Sequence, residues 1–204
     1  MDTILKKLEA RQIKPEKAAK NTLKDKRLLS QLFEGLKAKP TSVKYGSSKA
    51  LLLISETEPQ LLYPKFETFK VLLENENNIF KWTAAKIIGN LAAIDVKNKV
   101  DKKMISRLAN MLNTGKMITA NNAIYTLGKI AASKHKFQNK ITEELLKVEN
   151  YKYATKECNN IAIGLVIDTL QSFGEEIENN PQVSKFIKRQ RRNKRKSKEG
   201  PGRE

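Results

Sequence analysis

The side chains able to do covalent or metal chemistry are few in this sequence, and they are scattered. There is one histidine, His135, and one cysteine, Cys158. Zinc and its relatives need several Cys, His or carboxylate ligands converging on one point. His135 sits in Ser133-Lys134-His135-Lys136, with no carboxylate or thiol near it in sequence, and reads as a surface histidine. A cysteine nucleophile needs a base beside it. The only histidine is 23 residues from Cys158 and belongs to another helix, so the thiol reads as a small packed residue. A lone cysteine also closes no internal disulfide. Adjacent helical residues face different ways, so Glu143-Glu144 and Glu175-Glu176 read as solvated charge rather than paired acid and base. The sequence carries no phosphate-binding P-loop, dinucleotide fingerprint or EF-hand loop. The expectation is a protein with no cofactor, no metal and no catalysis.

What the chain does have is cation. Lys and Arg total 40 against 22 Asp and Glu, a formal charge of +18. The excess is uneven. Residues 1–49 and 185–204 each carry a net +8, while residues 50–184 carry only +2. Nine cations and no anion lie between Lys185 and Lys198: Lys185, Lys188, Arg189, Arg191, Arg192, Lys194, Arg195, Lys196 and Lys198. Such a run repels itself and attracts polyanions. Lys and Arg on phosphates release counterions and give salt-sensitive, sequence-independent affinity, with Arg adding a bidentate fork. RNA or DNA is therefore the leading partner for the tail, with a localisation signal as the bland alternative. Val183, Phe186 and Ile187 lie on one side of its first part, which is expected to continue as a helix docked on the body. Residues 193–204 are expected to form a disordered basic tail, and removal of 185–204 to leave the helical fold intact.

The elements that must position these groups are helices. Apolar residues make up 39% and aromatics 6%, enough for a core but lean for a β-sandwich or barrel. Apolar positions recur at three and four: Leu28, Leu29, Leu32, Phe33 and Leu36; Leu61, Leu62, Phe66, Phe69, Leu72 and Leu73; Met104, Ile105, Leu108 and Leu112; Ile141, Leu145, Leu146 and Val148. Pro15 suits a first helical turn. Thr41 or Ser42 is expected to cap a helix entering at Val43, Glu58-Pro59 to open another, and Asp101 to cap the one holding Met104. About eleven helices result. No segment is apolar for long enough to span a bilayer and no secretory leader is evident, so the chain reads as soluble and cytoplasmic, or nuclear if the tail is an address.

A repeat runs through these helices. Ser47-x-x-x-Leu51-x-x-Ile54-Ser55, Ala84-x-x-x-Ile88-Gly89-x-Leu91-Ala92 and Ala123-x-x-x-Leu127-Gly128-x-Ile130-Ala131 start 37 and 39 residues apart, with a degenerate fourth copy from Cys158 to Leu170. Glycine inside a helix costs about 1 kcal/mol against alanine. Gly89 and Gly128 bear that cost at one repeat position, and the expected return is close approach of a neighbouring helix. Gly35 and Gly164 read as weaker cases.

At these residues the chain resembles the HEAT-repeat, armadillo-like family of α-solenoids, over about residues 14–175. The resemblance implies an all-α, right-handed α-α superhelix of stacked antiparallel helix pairs, near 14–38, 42–74, 79–114, 117–149 and 153–192, in one repeat domain over 1–192. It also implies second helices lining a concave face. Lys65, Lys102 and Lys140 fall at equivalent repeat positions there, with Lys103, Arg107 and Lys136 nearby, as a candidate lysine ladder. HEAT-like hydroxylases use His-Glu pairs, which one histidine cannot supply. HEAT-like alkylpurine DNA glycosylases are clamps with aromatic residues and an aspartate, but Trp82 is followed by Thr83 and Lys86 without a carboxylate and reads as core or helix-groove filler. The reading is a non-catalytic adaptor that binds a protein partner, with the tail on nucleic acid. The alternatives are a concave face that itself binds DNA or RNA, including a glycosylase-like clamp, and a protein-only adaptor with a localisation tail. No membrane partner is expected.

Overall fold

The computed structural model describes residues 3–174, 177 and 180–190. Among them are eleven α-helices, joined by short loops and single 3-10 turns, and no strand. The chain forms two compact units, Met1–Lys97 and Asn98–Glu204.

The first unit holds α1 (Ile4–Glu9), α2 (Pro15–Lys24), α3 (Leu28–Gly35), α4 (Thr41–Thr57), α5 (Phe66–Leu73) and α6 (Asn78–Leu91). The long α4 is its centre, touching α1, α2, α3 and α6, while α5 lies on α6. Leu32, Leu51, Ile54, Phe66, Phe69, Ile88 and Leu91 are fully buried between them. These are the positions that the period of three and four marks as one face. Pro15 does occupy the first turn of α2. Thr41 and Ser42 do not cap α4. The extended Pro40 (φ −62°, ψ 128°) takes the cap position, so the helix begins at Thr41, two residues before Val43. Pro59 opens a 3-10 turn rather than an α-helix, and Pro64 sits in a second turn at Tyr63–Lys65, so α5 starts only at Phe66. Each proline lacks the N–H that a continuous helix would use.

The second unit holds α7 (Lys102–Asn110), α8 (Met117–Ser133), α9 (Gln138–Leu146), α10 (Lys156–Gln171) and α11 (Pro181–Gln190). Asp101 caps α7 as its sequence position suggests, accepting from the Met104 N–H at 2.8 Å. Here α8 is central, against α7, α9 and α10. Val183 and Phe186 of α11 are fully buried and the helix packs on α9 and α10. The helix predicted from Val183, Phe186 and Ile187 is thus part of the core. Removing residues from 185 onward would take Phe186 out of it, which corrects the expectation that the fold survives that cut.

The repeat register is a packing register. Ser47, Ala84 and Ala123 are at most 1% exposed, and so are Leu51, Ile88 and Leu127. A Cβ built on Gly128 would lie 2.8 Å from Thr169 Cγ2, so α8 and α10 approach as closely as a bare backbone allows. Gly35 is the tighter case, not the weaker: its Cβ would lie 2.1 Å from Ser47 Oγ and 2.9 Å from both Ser47 Cβ and Leu5 Cδ2. Gly164 is different. Nothing lies within 4 Å of its Cβ position, so close packing is not its reason.

Candidate binding faces

With the buried side of each long helix fixed, its outward row follows from the 100° step of the α-helix. In the first unit, α4 turns Ser42, Tyr45, Lys49 and Leu53 outward, and α6 turns Ile79, Trp82 and Lys86 outward, with Asn90 at the buried end of that row. In the second, α8 turns Ile118, Asn121, Tyr125 and Lys129 outward, and α10 turns Glu157, Asn160, Gly164 and Asp168. These rows are equivalent in the repeat, displaced by 37 and 39 residues like the buried motif. Their chemistry is mixed. Ile118 is 53% exposed, Tyr125 41% and Ile79 45%, three of the few large apolar side chains left open to solvent. The Lys129 ammonium lies 5.4 Å from the Tyr125 ring centroid, a cation–π distance. Beside them, the Asn121 Oδ1 is shielded from solvent and has no hydrogen-bond partner. Asn90 is tied inward, donating from Nδ2 to Ser55 Oγ at 2.8 Å, and Tyr45 is held by the Asn77 amide, which donates to its hydroxyl at 2.8 Å.

The lysines chosen from sequence stand at the starts of the shorter helices. Lys65 is the residue before α5, Lys102 and Lys103 open α7, and Arg107 lies in its last turn. All four are exposed. Lys136 and Lys140 are exposed but engaged. Lys136 Nζ donates to Asn98 Oδ1 at 2.6 Å and lies 5.2 Å from the Phe137 ring centroid. Lys140 reaches Glu144 at 2.9 Å and Glu143 at 3.5 Å. Glu144 also takes Lys147 at 2.8 Å. Burial pushes the Glu144 carboxyl up, but the bonds from Lys147 and Lys140 outweigh it and hold the carboxyl below its usual range. So Glu144, read from sequence as solvated, is a part-buried bridge between two lysines.

Of the tail residues, Lys185, Lys188 and Arg189 lie on α11. Arg191, Arg192, Lys194, Arg195, Lys196 and Lys198 lie outside the described residues. Arg189 is anchored: its Nη2 and Nε donate to the Glu149 carboxylate at 2.5 and 3.2 Å, and Gln190 Nε2 donates to the same group at 3.0 Å. The Glu149 carboxylate also raises the guanidinium pKa.

The residues weighed for chemistry are dispersed. His135 is exposed in a 3-10 turn, as its polar setting implies. Cys158 is half-buried in the first turn of α10 rather than packed in the core, and Trp82 is half-buried on the outward row of α6, outside the core. Among the described residues, no three of His, Cys, Asp and Glu gather as a metal site would require, and no helix is long and apolar enough to cross a membrane. A hollow of about 480 Å³ lies between α9 and the start of α11, lined by Asn139, Thr142, Glu143, Asn180, Pro181 and Gln182.

No family model and no curated protein matches the sequence. Among solved structures, the chain is similar to a designed armadillo repeat protein in complex with the peptide (KR)4, at 16% identity and a TM-score of 0.57, over 83% of this chain and 74% of that one. Eleven helices in a repeat of 37 and 39 residues, packed through the same small positions, agree with that likeness. The chain has an all-α fold of the armadillo-like α-solenoid kind.

Proposed function

We propose that the protein is a non-catalytic adaptor whose long helices receive an extended segment of another protein, and whose basic C-terminal run contacts nucleic-acid phosphates. The observation that carries the protein-binding part is the row Ile118, Asn121, Tyr125 and Lys129 on α8. It sets an exposed aliphatic residue and an exposed aromatic ring along one line of the helix, with the Lys129 ammonium beside the ring. An extended peptide offers side chains for the apolar positions. Aromatic residues are typical anchors of such contacts. The designed armadillo neighbour holds a peptide of alternating Lys and Arg. A chain at +18 would repel such a ligand, so the segment bound here is neutral or acidic.

The bound segment is tested by placing a photo-crosslinking phenylalanine analogue at position 125, and in parallel at Val71, which is 73% exposed but lies on α5, away from the rows. Crosslinks from cell lysate that form at 125, resist nuclease and are absent at 71 support the reading. Equal yields at the two positions, or loss of all products on nuclease treatment, refute it. The tail reading is tested separately by neutralising Arg191, Arg192, Lys194, Arg195, Lys196 and Lys198 to Gln; unchanged affinity for duplex at low salt sinks it.

A further inference from the structure

The tail accounts for only one of the two basic ends. The other lies largely within the described structure. On α2, Ala18, Ala19 and Thr22 face inward and are at most 4% exposed. The opposite side carries Lys17, Lys20 and Lys24, all exposed and within about 60° of one another on the helix. Lys14, the exposed residue at the N-cap, continues the stripe. None of these four ammonium groups has a hydrogen-bond or ion-pair partner among the described residues. Arg11, exposed and left-handed at φ 54°, precedes the stripe, and Lys26 and Arg27 follow it. Residues 11–27 hold seven cations and two anions, and one of the anions, Asp25, is bound to Arg27 at 2.9 Å.

This stripe works against the helix that carries it. Like charges at three- and four-residue spacing repel, and although Glu16 in the first turn favours the helix dipole and stands four residues before Lys20, Lys14, Lys17 and Lys24 have no acidic residue at helical spacing. On α9 and α5 the chain intersperses its charges, as in Lys140–Glu144–Lys147 and Glu67–Lys70. Along the α2 stripe it does not.

We infer that the Lys14–Lys17–Lys20–Lys24 face of α2 is a second polyanion site, and that it takes the phosphate backbone of a nucleic-acid duplex. Three observations select that ligand over an acidic protein or a membrane. The stripe spans about 15 Å, and a duplex presents a charge about every 1.7 Å of its axis, so all four lysines meet phosphates at once. Lysine is depleted from protein interfaces, whose energy comes from buried apolar and aromatic anchors. None of the exposed large apolar side chains of the described residues falls between 11 and 27, so the face has neither an anchor for a peptide nor a wedge for a lipid surface. The site does not depend on the tail.

The test uses the full-length chain and a fluorescein-labelled duplex of mixed sequence, about 20 base pairs long, with affinity followed between about 50 and 200 mM salt. Lys14, Lys17, Lys20 and Lys24 are changed together to Gln. Each lysine withdrawn from a phosphate lowers the slope of log affinity against log salt by about 0.9, so a fall of about 3 to 4 is expected. The melting temperature stays unchanged or rises, because the four side chains are exposed and mutually repelled. A control carries the same charge change at the exposed Lys97, Lys116, Lys152 and Lys156, and its slope should move by less than about 1. An unchanged slope for the α2 variant, or an equal fall in the control, overturns the proposal. The tail-neutralised chain separates the two readings: the α2 effect persists in it if α2 is a site in its own right, whatever becomes of the tail. Tighter, α2-dependent binding of poly-glutamate than of the duplex would overturn nucleic acid as the ligand.

Discussion

The contact between Gly128 and Thr169 gives the sharpest test of the packing. Replacing Gly128 with Ala has two opposed effects. In a helix interior alanine is favoured over glycine by about 1 kcal/mol. Against that, the new Cβ lies 2.8 Å from Thr169 Cγ2, closer than carbon atoms pack. Thr169 cannot easily turn away, since its hydroxyl donates to the Leu165 carbonyl at 2.7 Å and fixes the rotamer. Overpacking of this kind costs about 1–3 kcal/mol, so Gly128→Ala should lie between neutral and about 2 kcal/mol destabilised. Thr169→Ser removes the obstructing methyl and keeps the hydroxyl. The double variant should therefore recover the helical gain, with a coupling of about 1–3 kcal/mol between the two sites in urea unfolding. Gly128→Leu should destabilise more than Ala, because no single partner can yield enough space. Gly164→Ala supplies the contrast within α10. With nothing within 4 Å of its Cβ position, it should stabilise by about 0.5–1 kcal/mol. If Gly128→Ala alone gains as much as Gly164→Ala, and shows no coupling to Thr169, the close-approach argument is wrong.

Tyr153 makes stability depend on alkaline pH. Its hydroxyl donates to the Leu112 carbonyl at 2.7 Å, and burial pushes its pKa from 10.0 up to about 12. The folded value lies above the unfolded one, so the contribution is whole below about pH 10 and drains away as pH rises toward 12, by about 2–3 kcal/mol. Tyr153→Phe should cost about 1 kcal/mol at neutral pH and flatten this alkaline limb in chemical denaturation; an unchanged limb would assign it to other groups. Chain length gives a second test. A chain ending at Gln190 keeps Val183 and Phe186 and should melt like the whole protein, whereas one ending at Ser184 loses a buried phenylalanine, worth about 3–5 kcal/mol. Equal melting temperatures for the two truncations would show that α11 does not belong to the core.

The helices and their stacking were legible in the sequence because both depend on residue size and period. Leu51, Ile88 and Leu127 repeat at the spacing of the packing itself, and Gly128 marks a real approach of backbones. Gly35 and Gly164 show where that signal ends. Both are glycines within helices, yet one touches Ser47 and the other touches nothing, and only the arrangement of helices separates them. Pro59 was legible as the start of an element but not as to its kind: it opens a 3-10 turn rather than an α-helix, and Pro64 makes a second such turn. The outward rows were the main omission. Ile79, Lys86, Tyr125 and Gly164 share no chemistry, so no pattern of type joins them; the register of 37 and 39, carried from the buried face to the opposite one, would have found them. The anchoring of Arg189 was hidden for another reason. Its partner Glu149 lies 40 residues away in sequence, and a cation within a basic run reads as free until the fold brings a carboxylate to it.

The two basic ends differ in what the fold does with them, and that difference bears on function. At the C-terminal end, Glu149 takes both Arg189 and Gln190, so the cationic run begins from a fixed point on the second unit. At the N-terminal end, the cations are themselves held in a row by α2. A surface needing only solubility would gain more from alternating signs, because each Lys–Glu pair at helical spacing adds stability and each Lys–Lys pair removes it. α5 and α9 follow that rule, and α2 breaks it at Lys14, Lys17 and Lys24. A sustained local cost, with no compensating contact inside the protein, is accounted for by a ligand outside it that carries the opposite charge at close spacing. The phosphate backbone has that spacing, and its binding would recover through counterion release what the helix loses through repulsion.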